Sequence, residues 1–248
     1  MDKNSMVATN STLEAKDGSL YKFFTDYNCN EERKRNIQFF RENPMFSPRI
    51  NYTFNSGSIL LGYSMEFIPG CITFKDAVGD ESYTHEDKLK AINGVFSKLK
   101  MLHKCDILVG DMPAQNIMFN AQDGYIVDLD EVRFMEEDAH NFETAYKLQI
   151  DEDGTLIDEE SYYTDNVKTT VCALSLLYGV DFEDIMHHGV MKISDLKAAI
   201  DVVVNDSDFK GEVFKLLDSR DEVIYFDEIL AKQDVDKKSE VLLWKVLE

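Results

Sequence analysis

Residues 85–104 read "HEDKLKAINGVFSKLKMLHK", and few segments leave a chain less freedom. Leu89, Ile92, Val95, Phe96, Leu99 and Leu102 recur at helical spacing, so a long helix must bury one face here. Directly after it come "VGDMPAQNIMFN" at 109–120 and "IVDLDE" at 126–131, short apolar strands interrupted by polar groups. Asp111, Asn116 and Asp128 therefore sit in segments that otherwise read as core, and that placement needs a reason.

Upstream of the helix the pattern changes. Residues 5–24 read as two strands around the turn "AKDGS", ending in "SLYKFF". "NEERKRNIQFFREN" predicts a helix with Ile37 and Phe40 on its apolar side, stopped at Asn43-Pro44 as the residue before proline dictates. "RINYTFNSGSILLGYSMEFIPG" alternates and turns at Asn55–Gly57, a hairpin that ends at Pro69-Gly70. Further helices are expected at 164–179, 193–204 and 208–218. The expected fold class is α+β: a small β-rich front over 1–67, a junction at 68–71 and a larger, mainly helical rear over 72–248. Ligands favour such junctions.

Bulk composition narrows the function. Lys plus Arg total 26 against 47 Asp plus Glu, a formal net charge of −21. Nonspecific nucleic-acid binding depends on cations displacing counterions, and an anionic membrane surface needs them too, so both partners are disfavoured. A basic protein or peptide partner fits better. Apolar runs fall short of a membrane span, and "MDKNSMVATNSTLEAKDG" lacks a basic-then-apolar leader, so a cytoplasmic protein is expected. The four cysteines, with no CxxC pair, read as buried free thiols in a reducing compartment.

Phosphoryl transfer gives the three polar anchors a common purpose. It needs groups to hold nucleotide phosphates with Mg²⁺ and a group to orient the attacking hydroxyl. Mg²⁺ prefers hard oxygen donors, and one or two carboxylates plus an amide oxygen suffice. Asp111 would face the hydroxyl, Asn116 would hold one metal, and Asp128 the metal bridging the phosphates, with Asp130 as a ligand that assists Asp128 or replaces it in part. Each also has a plain reading. Asp111 and Asn116 fit a polar turn, Asp128 a strand-end cap, Lys22 an extended strand-edge lysine and Asp165 a helix N-cap. His103 reads as a helix-end packing residue. "QIDEDGTLIDEE" at 149–160 approaches an EF-hand loop through Asp151, Asp153, Gly154 and Glu160, but Gln149 stands in the first position, so a hairpin around Asp153-Gly154 is expected.

"LHKCDILVGDMPAQNIMFN" resembles, without a gap, the protein-kinase segment LHxxxIxHRDxxxxNIL, and "GYIVDLDEV" resembles the strand and DFG aspartate that follow it. "LLGYSMEFIPG" is similar to the last small-lobe strand and hinge, and "YTDNVKTTVCALSLLYG" to the helix SDVWSLGxxLxELLxG. The resemblance implies a bilobal protein kinase-like fold that uses ATP and Mg²⁺. It makes Asp111 and Lys22 catalytic, Lys22 as the phosphate clamp. It gives Glu66 and Ile68 backbone groups for adenine, and Asp165 the role of a buried brace for the catalytic loop. It places a partner for Lys22 on the first helix. There the hydrophobic register falls on Asn36 and the nearest carboxylate one turn earlier is Glu32, so Glu32 is expected in that role.

The departures are equally specific. Val109-Gly110 replaces His-Arg before Asp111, as in the HGDxxxxNI loops of aminoglycoside phosphotransferase and RIO-like kinases. With no arginine there, no cation in the loop awaits a phosphorylated activation segment. No glycine precedes Gly18, so "DKNSMV" stands where a glycine-rich phosphate loop is expected near residues 1–7. An acidic β-arm over 134–162 takes the place of the activation segment and favours basic substrates. The expected activity is transfer from ATP to Ser/Thr hydroxyls of a protein. The alternatives are a small-molecule kinase of aminoglycoside or choline type and a pseudokinase that binds without transfer. The short chain resembles bacterial effector or phage kinases, which implies an activating partner and, for an effector, delivery into a host cytosol.

Overall fold

The computed structural model describes residues 5–8, 11–25, 31–135, 146–149, 155–157 and 160–232. The chain is a mixed α+β protein. Strands β1 (Ser5–Ala8), β2 (Ser11–Lys16) and β3 (Ser19–Phe24) run as an antiparallel meander. Helix α1 (Glu31–Glu42) follows, then the hairpin β4 (Ile50–Ser56) and β5 (Ile59–Glu66). The five strands form one sheet in the order β1-β2-β3-β5-β4. Residues 5–24 thus hold three strands rather than two. Ser5–Ala8 pairs with β2, Met6 opposite Leu13, so the segment expected to cover phosphates is instead a strand.

Local chemistry sets these turns. Asp17 and Gly18 both take positive φ, 50° and 73°, the signature of the tight Asp-Gly hairpin turn whose twist matches flanking strands. At the sheet's centre Gly62 lies opposite both Phe23 and Phe54. A Cβ on it would stand 2.1 Å from the Lys22 carbonyl oxygen, so no larger residue fits. The rings of Phe23 and Phe54 stack 5.5 Å apart in the space it leaves.

The remainder is mostly helical. β6 (Ile72–Thr73) leads into the single turn α2 (Phe74–Ala77), and α3 (His85–Lys104) fills the expected span. Thr84 and Asp87 close a reciprocal capping box at its start, and Ile92, Val95, Phe96, Leu99 and Leu102 are fully buried. Short strands β7 (Ile107–Leu108), β8 (Ile117–Phe119), β9 (Gly124–Ile126) and β10 (Arg133–Phe134) follow. β8 pairs with both β6 and β9, and β7 with β10. Strand β11 (Lys147–Gln149) precedes α4 (Tyr162–Tyr178), and β12 (Val190–Lys192) leads to α5 (Ile193–Val203), α6 (Ser207–Asp218) and α7 (Phe226–Lys232).

Helix α4 is the pillar of this part. It starts from a Ser161–Thr164 capping box and ends at Gly179 in the left-handed conformation, and every residue from Tyr163 to Leu176 is buried. Its hydroxyls are satisfied internally: Thr169, Thr170 and Ser175 each donate to the carbonyl four residues back. β11 runs parallel to β12, and Gln149 also bridges Leu156 in antiparallel sense. That is the stem of the expected hairpin; Asp151, Asp153 and Gly154, the residues nearest an EF-hand pattern, lie outside the described residues. Among the described cysteines Cys172 is buried, Cys71 half-buried and Cys105 exposed, all as free thiols, so burial holds only for Cys172. Among the described residues no helix is long and apolar enough to cross a membrane.

Candidate active site

The loop between β7 and β8 is held from beneath by α4 and the turn after it. Asp165, fully buried, accepts from the Val109 N–H at 2.8 Å and the Gly110 N–H at 2.7 Å. His103 Nε2 lies 3.1 Å from the same carboxylate, and its Nδ1 lies 2.7 Å from the Tyr225 hydroxyl. Lys168 donates to the Gly110 carbonyl at 2.8 Å, and Glu183 accepts from the Ala114 N–H at 3.0 Å. The N-cap of α4 is Ser161, so Asp165 is a loop brace rather than a cap, and His103 packs at the helix end as expected.

Above this base Asn116 donates through Nδ2 to the Asp111 carboxylate at 3.1 Å. The antiparallel pairing of β8 and β9 sets Ile117 opposite Ile126, and the Val127 N–H donates to the Asn116 carbonyl at 2.9 Å. Asp128 is therefore the next residue along from the one paired with Asn116. Two polar clusters far apart in sequence become neighbours through one hairpin.

Asp128 adopts φ 66° and ψ 39°, left-handed backbone that a non-glycine residue occupies only where its surroundings enforce it. Lys22 of β3 reaches across to form ion pairs with both Asp128 and Asp130. Burial, then the neighbouring Asp130 charge, pushes the Asp128 carboxyl up to about 7 against the opposing pull of Lys22. Its side chain still keeps 40% exposure, so a ligand can reach it.

Asp130 behaves differently. Its Oδ1 is 2.6 Å from Lys22 Nζ and 3.1 Å from the Tyr63 hydroxyl, and Arg33 Nε lies 3.3 Å from Oδ2. Burial pushes its carboxyl up, but Lys22, hydrogen bonding from Asp128 and Lys22, and Arg33 outweigh it and hold it below the usual range. The same surroundings hold Lys22 well above the usual lysine value despite its burial, through Asp130, Tyr63 and Asp128. With its side chain 1% exposed and Oδ1 bonded to Lys22 and Tyr63, Asp130 is the enclosed centre of an ion-pair cluster, whereas Asp128 beside it stays open.

The expected partner for Lys22 on α1 also changes. Its ion pairs run to Asp128 and Asp130, and Glu32 is not among its partners. Helix α1 instead reaches the site with Arg33 and with Asn36, whose amide donates to the Asp130 carbonyl at 3.1 Å and the Val132 carbonyl at 2.7 Å. The register position Asn36 faces the turn that carries Asp130, but its bonds go to backbone carbonyls and not to Lys22. Arg33 and Tyr63 carry no motif that marks them. At the junction, the Glu66 N–H donates to Arg49 and the Ile68 carbonyl accepts from Cys71, leaving the Ile68 N–H without a backbone partner among the described residues.

Asp128 and Asn116 fit a hard cation. Asp128 is an exposed carboxylate crowded by a second negative charge, and Asn116 directs its amide nitrogen at Asp111, so its Oδ1 is available as a donor. Two such oxygens are what Mg²⁺ takes from a protein when phosphates supply the rest. No protein-family model matches the chain, and no curated protein matches it.

Proposed function

We propose that the chain is an ATP-dependent phosphotransferase of bilobal protein-kinase fold, with residues 1–67 as the small lobe, 68–71 as the hinge and 72–248 as the large lobe. The observation that carries this reading is the convergence of Lys22, Asp128, Asn116 and Asp111 in one bonded chain, in which Lys22 pairs with Asp128, the hairpin joins Asp128 to Asn116, and Asn116 bonds Asp111. Those are the parts that phosphoryl transfer requires.

In this reading Asp111 accepts the proton of the attacking hydroxyl through Oδ1 or Oδ2, with Asn116 fixing the carboxylate's orientation. Lys22, kept in place by Asp130 and Tyr63, offers its ammonium to the nucleotide phosphates. Asp128 and Asn116 would hold Mg²⁺, which when bound supplies positive charge to the phosphate oxygens. Glu66 and Ile68 line the adenine side, where the Ile68 N–H, without a backbone partner among the described residues, provides a donor. The acceptor is a Ser/Thr hydroxyl of a basic protein or peptide, in keeping with the net charge of −21. A second reading, nucleotide binding without transfer, draws on the connection between β1 and β2, which is only Thr9-Asn10 and leaves little chain to enclose phosphates.

Radiolabelled phosphate transfer from ATP, with wild type beside Asp111→Ala and Asp128→Ala, tests the proposal. Loss of the proton acceptor should lower the rate ~10²–10⁴-fold. Equal transfer by all three proteins would sink it. Stabilisation by ATP and Mg²⁺ without any transfer would favour the second reading; a ligand at ~100 times its Kd adds ~2.7 kcal/mol.

A further inference from the structure

Lys168 lies in the middle of α4 with its side chain only 1% exposed. A buried ammonium is retained only where it is paired and hydrogen-bonded. Here it donates to the Gly110 carbonyl at 2.8 Å and to the Glu160 carboxylate at 2.7 Å, beside the Tyr146 ring. Glu160 also accepts from the Thr164 hydroxyl at 2.7 Å, so its own position is fixed from α4.

The bond to Gly110 has a particular geometry. Gly110 takes φ 75°, and the Gly110 carbonyl belongs to the same peptide plane as the Asp111 N–H. That N–H donates to the Val109 carbonyl at 2.9 Å. Glycine permits such a plane to turn over with little steric penalty. Here the plane is held at both ends, by Val109 at the nitrogen and by Lys168 at the oxygen. Turning it would break the Asp111 N–H bond that closes this turn and change the backbone φ of Asp111, the residue on which the chemistry depends. Asp165 grips the N–H groups of Val109 and Gly110 but leaves this plane untouched.

We propose that Lys168 is a positioning residue for Asp111, and that Glu160 is the fixed anion that holds Lys168 in place. Its catalytic readout rests on the phosphotransferase reading above. Glu160 precedes α4, shortly after residues 155–157, where the Ile157 N–H donates to the Leu148 carbonyl of β11. The placement of Glu160 against Thr164 and Lys168 therefore sets the loop through a carboxylate that is always present. A built-in negative charge does here what an added phosphate would do on a switchable segment, and the site needs no such modification to be ordered.

The test uses the full chain as wild type, Lys168→Met, Lys168→Arg and Glu160→Gln. Two quantities are read: amide hydrogen exchange over 109–112, and kcat against KM for ATP. Lys168→Met should exchange roughly tenfold faster at Gly110 and Asp111 while α6 keeps its wild-type rates. It should lower kcat by ~100-fold, the effect of a misplaced catalytic group, with KM for ATP within about twofold. Lys168→Arg should restore part of both. Glu160→Gln should move both in the same direction by less, and it carries the test if Lys168→Met does not fold. Wild-type exchange over 109–112 in folded variants, or faster exchange spread equally to α6, overturns the proposal. A wild-type protein that transfers no phosphate would overturn the phosphotransferase reading alone, and exchange would still decide the role of Lys168.

Discussion

The loop at 109–116 and the turn at 128–132 are neighbours held by opposite means. In the loop, charged side chains grip neutral backbone groups: Asp165 takes two N–H groups, Lys168 a carbonyl and Glu183 another N–H. In the turn, charges grip one another: Lys22 and Arg33 converge on Asp128, Asp130 and Glu131. Backbone bonds of the first kind fix a shape whatever charge arrives nearby. Ion pairs of the second kind redistribute when a cation or a phosphate enters. In the proposed phosphotransferase, a site built this way would keep Asp111 rigid and let the side around Lys22 and Asp128 adapt.

The sharpest way to break that contrast is Asp130→Ala. It strips a buried carboxylate from Lys22 and Arg33, and uncompensated buried charge costs about 3–5 kcal/mol. Lys22 keeps Asp128 and Arg33 keeps Glu131, so the loss belongs at the low end of that range. Denaturant unfolding measures it, and a loss under about 1 kcal/mol would show that these charges are not a true network. Asp165→Ala should come next, at about 2–3 kcal/mol, because the Val109 and Gly110 N–H groups are left buried without acceptors. A larger loss for Asp165→Ala than for Asp130→Ala would invert the comparison.

The smallest effect is a pH dependence confined to the turn. With its carboxyl raised from the usual ~3.9 of a free aspartate to about 7, Asp128 contributes stability that is complete below the lower figure and drains away as pH rises through the upper one. Asp128→Asn lacks that loss. In metal-free buffer the variant's melting temperature should therefore gain on wild type between pH 4 and pH 7 and hold level above. A flat difference over that window would mean that Lys22 already neutralises the Asp128 charge.

Much of the loop was legible in the sequence and much of the turn was not. Spacing exposed α3 because one face alternates with solvent, and Asp111 and Asn116, five positions apart, were legible as the polar groups of one loop, though not their bond to each other. Asp165 could be anticipated as a brace because its segment resembles a known helix. Lys168 and Glu160 could not. α4 is buried on all sides, so no periodicity separates a polar contact residue from its apolar neighbours. Arg33, Tyr63 and the ion-pair role of Asp130 escaped for a different reason. Their partners come from β3, α1, β5 and the turn, and only the tertiary fold brings those four together. The sequence invited a helix carboxylate for Lys22, whereas the fold places that carboxylate two residues beyond Asp128.

Asn36 carries a consequence of its own. Its uncharged amide spans the Asp130 and Val132 carbonyls from inside α1, where neither salt nor pH weakens it as they would a surface ion pair. The helix is thereby geared to the strand end that bears Asp128. Any ligand that pushes on Asp128 also pushes on α1, and any protein that leans on the outer face of α1 acts on Asp128. Control from outside would have a mechanical route inward through Asn36, beside the ion pairs that Arg33 of the same helix makes with Asp130 and Glu131.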